Sequence, residues 1–107
     1  MIMYIIARVL KVEKGQKAVL QERFSQPFRL QTIAGFVKRE VWIDEKNPQF
    51  DLIRIQIYWE SREAFYAWEG SEEHKALHKG GKGHGEMPGV IESTKETYFE
   101  LATVYAK

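Results

Sequence analysis

The chain contains no cysteine, which excludes disulfides, thiolate metal sites and a cysteine nucleophile and fits a reducing cytosol. No apolar run approaches the ~20 residues of a membrane-spanning helix. The apolar start from Met1 to Leu10 is broken by Arg8 and runs straight into Lys11. It has neither the charged-then-apolar order nor the small-residue cleavage site of a signal peptide. A cytoplasmic, unprocessed protein is therefore expected. No basic stripe is present either: acids and bases are mixed and the formal charge is +1, which argues against nucleic acid as a partner. The short list of catalytic signatures is also empty. No serine–histidine–acid arrangement is readable, and no carboxylate is distinguished by its context. The run Lys79-Gly80-Gly81-Lys82-Gly83-His84-Gly85 lacks the P-loop order and follows a helical segment, so it reads as a flexible loop.

What is present is a chain of 107 residues, 44% apolar and 29% charged, the composition of one soluble domain over residues 1–107. Residues 2–12 alternate, with Ile2, Tyr4, Ile6, Leu10 and Val12 on one face and Met3, Ile5, Ala7 and Val9 on the other. This predicts a strand buried on both sides. One layer of helices in so short a chain covers one face, so a second subunit is expected on the other. Gly15 opens a helix running to about Ser25, with Leu20, Phe24 and Phe28 at four-residue steps and Pro27 limiting it. Residues 36–43 and 50–59 predict two strands joined through a turn at 44–48. Ser61 is a suitable N-cap for a helix that carries Ala64, Phe65 and Trp68 inward and ends at Gly70. Ser71 opens a short helix closing near His78, and residues 94–105 predict the last strand. The order is βαββαβ, an α+β, ferredoxin-like antiparallel sheet with helices on one face.

Three residues carry two readings each. Arg8 shares a face with Ile6 and Leu10, where an unpaired guanidinium is costly. It either makes a structural salt bridge, to Glu40 or Glu100, or faces a pocket holding an acidic or oxygen-bearing ligand. Trp68 is either core, as one face of any amphipathic helix requires, or a flat aromatic wall for a planar ligand. His78 either interacts with the carbonyls ending its helix or ligates a metal as neutral imidazole. His74 and His78 stand at i and i+4, but two ligands are too few for structural zinc, and His84 would join them only through folding of the glycine loop.

From Lys14-Gly15 onward the whole chain resembles the antibiotic-biosynthesis-monooxygenase-like (ABM) family, and within it the IsdG-type haem-degrading monooxygenases. The resemblance rests on Glu22-Arg23-Phe24, Gly35-Phe36, Phe50-Asp51, Trp59-Glu60-Ser61, Ala64-Phe65, Trp68 and His78-Lys79, taken in order. It implies a homodimer of ferredoxin-like subunits whose two sheets form an α/β barrel. The haem degraders use an asparagine, a tryptophan and a histidine. His78 falls on the histidine, which ligates the haem iron, and Trp68 on the tryptophan, which presses on the porphyrin. Phe24 falls on an apolar position beside the haem. Arg8 stands where the family has asparagine, and replaces a small neutral donor by a charged fork of five donors.

The expected function is accordingly haem-degrading monooxygenase, with haem as both substrate and cofactor, oxygen, an external electron donor, and release of iron. Catalytic roles fall on Trp68, His78 and Arg8, and haem contacts on Phe24, Trp68 and His78. Two alternatives stand beside it. One is a cofactor-independent oxygenase on an aromatic or quinone-like substrate whose oxyanion Arg8 would hold. The other is a haem-binding dimer without turnover.

Overall fold

A computed structural model describes residues 2–27, 29–71 and 89–106, with only the backbone of Arg29. Among these residues the elements follow in the order β1 (Tyr4–Glu13), α1 (Lys17–Ser25), β2 (Phe36–Asp44), β3 (Phe50–Trp59), α2 (Arg62–Glu69) and β4 (Val90–Phe99), with a 3-10 turn at Arg29–Thr32. The strands form one antiparallel sheet ordered β2-β3-β1-β4, the expected ferredoxin-like arrangement. No helix among the described residues is long and apolar enough to cross a membrane.

Register sorts the side chains onto two faces. Tyr4, Ile6, Leu10 and Val12 of β1 stand opposite Trp59, Ile57, Ile53 and Asp51 of β3, and this face carries the helices. Two buried clusters form on it. Leu10, Val12, Ile53 and Ile55 pack with Leu20 of α1, while Tyr4, Ile6 and Trp59 pack with Trp68 of α2. The helix ends follow local chemistry. Ser61 Oγ accepts the Ala64 N–H at 3.1 Å, as expected of the N-cap, and α2 stops at Glu69, where the Gly70 N–H bonds back to Tyr66 O. The Ser71 hydroxyl donates to Trp68 O at 2.6 Å and so closes α2. The short helix expected after it and the glycine loop fall in residues 72–88, outside the described residues.

The last strand is displaced from its expected frame. It spans Val90–Phe99 rather than 94–105, because pairing with β1 sets its limits. Glu13 N–H bonds to Gly89 O at one end, and Glu100 N–H to Met3 O at the other. Beyond Glu100 there is no length of β1 left to pair with, and Leu101 and Val104 are 99% and 96% exposed.

The face of the sheet away from the helices is mixed. Ala7 is fully buried and Ile5 and Val9 are half-buried, but Trp42 on the edge strand is 57% exposed. Across β3 runs a polar chain. Arg54 Nε donates to Gln56 at 2.6 Å, Gln56 Nε2 to Tyr58 Oη at 2.7 Å, and Tyr58 Oη to Glu40 at 2.6 Å. The Tyr58 hydrogen bond holds the Glu40 carboxyl below its usual range, with Lys38 adding to the effect and partial burial opposing it. Burial and Glu40 push the Tyr58 phenol up. A depressed carboxyl pKa contributes stability that is present above the unfolded value and lost as pH falls through the folded one. Tyr58→Phe is therefore expected to raise the Glu40 pKa and to shrink the acid-side fall in stability. An NMR titration of the Glu40 carboxyl in both proteins measures this; an unmoved titration would refute the link.

Candidate active site

Arg8 occupies the seam between the two apolar clusters. On the helix face it lies between Ile6, which belongs to the Trp68 cluster, and Leu10, which belongs to the Leu20 cluster. Directly opposite are Ile55 on β3 and Lys95 on β4. The side chain is half-buried, and it forms no ion pair with a carboxylate among the described residues. Neither expected salt bridge forms. Glu40 points to the other face, toward Tyr58 and Lys38, and Glu100 accepts from the Met3 N–H and the Thr103 hydroxyl at the end of the sheet.

Trp68 is 7% exposed and packs with Tyr4, Ile6 and Trp59, so in this arrangement it is a core residue beside the seam. Phe24 lies across the seam, half-buried against the Leu10–Ile55 cluster. The structure thus brings Arg8, Trp68 and Phe24 to one face of the sheet, with Arg8 between the clusters that the two aromatics join. His78 lies outside the described residues. Among the described residues no group of histidines and carboxylates is placed to hold a metal ion.

Phe24 also lines a cavity of about 720 Å³ between α1 and the edge strand β2, within the ordinary size of a small-molecule site. Leu20, Val41 and Ile53 supply its apolar wall, and Gln21, Gln26 and Gln31 contribute polar groups. Arg8 and Trp68 do not line it. A residue that sequence reasoning missed, Arg39, does. Its Nη2 donates to Phe24 O at 2.8 Å and its guanidinium centre lies 5.3 Å from the Phe24 ring centroid. Partial burial works against its charge and lowers its pKa. A signal exists in the chain: Arg39 alternates with Val37, Val41 and Ile43, a cation in an apolar row, just as Arg8 is in β1.

This sheet, with an open cavity beside it and a half-buried arginine within its apolar face, defines a ferredoxin-like protein. The family model for antibiotic biosynthesis monooxygenase matches residues 3–80. The chain belongs to that family and is an oxidoreductase of the monooxygenase class. It is 31% identical over 78 residues to a staphylobilin-producing heme oxygenase of Staphylococcus saprophyticus, a match covering 73% of this chain and 75% of the relative. It is 29% identical over 102 residues to a heme-degrading monooxygenase of Bacillus thuringiensis, covering 95% and 92%. In fold it is similar to MhuD, a heme-degrader of Mycobacterium tuberculosis solved with two hemes bound in its active site, with a TM-score of 0.70 and 20% identity over 95% of this chain and 99% of that one.

Proposed function

We propose that this protein is a haem-degrading monooxygenase that works as a cytoplasmic homodimer of single-domain subunits. The observation that carries the reading is the seam. A half-buried cation stands between two apolar clusters, one holding Trp68 and the other contacted by Phe24, and Phe24 continues into an open cavity with apolar walls. Such a lining fits a large planar ligand with polar edges, and the names of the two relatives supply its identity.

In this reading, and by the family resemblance, His78 would ligate the haem iron. Trp68 presses on the porphyrin, and Phe24 packs at its apolar side. When bound, haem supplies both the oxygen-activating iron and the ring that is opened, with electrons from an external donor. The chain's own residues bind and orient the ring, exclude water with apolar walls, and place one fixed positive charge at Arg8. A guanidinium stays protonated throughout, so Arg8 acts as a hydrogen-bond donor and electrostatic group and not as a proton acceptor. Support for the dimer comes from β1, whose outer residues Ile5, Ala7 and Val9 lie on the face without helices; light scattering that gives a monomer would overturn it.

The test is a visible spectrum of the protein with added haem, before and after ascorbate in air, with catalase present to remove peroxide. A shifted Soret band that then bleaches is expected. His78→Ala should abolish iron ligation, and an unchanged haem spectrum in that variant would remove His78 from the site. Arg8 itself favours a second reading, a cofactor-independent oxygenase that holds the oxyanion of an aromatic or quinone-like substrate. Absence of any Soret shift, together with binding of such a compound, would decide for it.

A further inference from the structure

The cavity between α1 and β2 has a consistent electrostatic character. Among the described residues that line it there is no carboxylate, while two cations, Lys17 and Arg39, are present. Lys17 is engaged by Glu45 at 3.0 Å, and both side chains of that pair are about half exposed. Arg39 is placed differently. It belongs to the helix-facing row of β2, opposite Ile57 of β3, with its guanidinium brought against the Phe24 ring and tied to the Phe24 carbonyl. That contact sets the height and plane of the fork beside Phe24, an aromatic shared by the cavity and the proposed haem site. A guanidinium presents five donors in a planar array, so it can hold Phe24 and still offer a paired contact to a carboxylate, the acceptor its geometry matches best. Partial burial makes such a pairing stronger than at an open surface.

We propose that Arg39 recognises a carboxylate at the edge of the ligand, and that the α1–β2 cavity receives that acidic edge. The proposal rests on the haem reading and deepens it: the porphyrin's propionate side would enter between α1 and β2, while Phe24 packs on the ring. Arg8 does not line this cavity, so the two arginines divide the work, Arg39 reading the acid and Arg8 facing the seam.

A binding cycle separates this from a merely structural role for Arg39. Ferric haem and its dimethyl ester, in which both propionates are neutralised, are titrated into the intact protein and into Arg39→Gln, and Kd is read from the Soret band and from quenching of tryptophan fluorescence. Losing one charge-assisted carboxylate contact is worth about tenfold in affinity. The wild-type protein should therefore bind the ester about tenfold more weakly than haem. Arg39→Gln should bind haem about tenfold more weakly than wild type does, yet bind the ester as wild type does. Arg39→Lys, which keeps the charge but not the fork, should recover part of the preference and guards against loss of fold in the glutamine variant. Equal weakening of both ligands by Arg39→Gln would mean that Arg39 only positions Phe24, and would overturn the proposal. A preference for haem that survives in Arg39→Gln would also overturn it, by assigning the acid to another cation. If haem binds and the ester binds equally well, the haem reading stands and this one falls. If haem does not bind to the wild-type protein, the haem reading fails and takes this inference with it.

Discussion

Gly35→Ala is expected to destabilise the protein by about 3 kcal/mol, combining a strained backbone with an overpacked contact, and to lower Tm by more than about 10 °C in a domain of this size. Gly35 precedes β2 at φ +87°, and a Cβ built there would collide with Cβ of Ala64. Ala64 has little room to retreat. Its N–H is held by the Ser61 N-cap, and the Gly35 carbonyl accepts the Glu60 N–H at 2.8 Å, which ties the entry of β2 to the start of α2 from both sides. The ring of Trp59 lies on the same side at 3.9 Å. Gly15→Ala is the control. Its φ is +92°, but nothing lies within 4 Å of the added atom, so only the backbone cost of about 1 kcal/mol should appear. Thermal or urea unfolding of both variants measures the difference. Equal losses would show that the close approach to Ala64 has no energetic weight, and would leave backbone conformation alone to account for the glycine before Phe36.

Gly35 also shows how much of the fold is readable in the chain. The strands β1 and β3 are legible because apolar residues, many of them β-branched, recur at every second position, and a strand buried along one face has one register that satisfies it. The cap at Ser61 is legible because its chemistry is local. The frame of β4 is not. Its residues from Glu92 to Glu96 are polar and largely exposed, so the apolar Leu101, Val104 and Tyr105 draw the expected strand too far along the chain. Only the length of β1, a distant element, fixes where pairing stops. The site divides in the same way. Arg8 is legible as a charge in an apolar row, and the structure keeps it there, on the helix face. That Glu40 does not pair with it is not legible, because the antiparallel register of β2 with β3 turns Glu40 to the opposite face of the sheet. Arg39 hides in Lys38-Arg39-Glu40, a charge run that looks solvated until its alternation with Val41 and Ile43 is counted. A bulge between Phe36 and Lys38 brings Phe36 to the same face as Arg39, and such an irregularity has no mark in the sequence.

Arg8→Leu is expected to move stability and activity in opposite directions. Leucine would continue the row from Ile6 to Leu10 and join the two clusters through Ile55, which lies directly opposite. It would also remove a like-charge pair, since Arg8 and Lys95 face each other across β1 and β4, an arrangement that destabilises a sheet. Replacing a half-buried charge by an apolar side chain of matching reach is often stabilising, in this case by about 1 kcal/mol, or roughly 4–8 °C in Tm. Turnover of haem should fall by about 100-fold, the cost of removing one donor aimed at developing charge in a water-poor site. A residue that weakens the fold where it stands and is needed for chemistry is what a functional compromise looks like. The two readouts fail independently. A loss of stability would mean that Arg8 is a structural ion-pair partner after all, and unchanged turnover with a raised Tm would remove it from the site. Only the opposed pair of shifts places the cost of Arg8 in the fold and its benefit in the reaction.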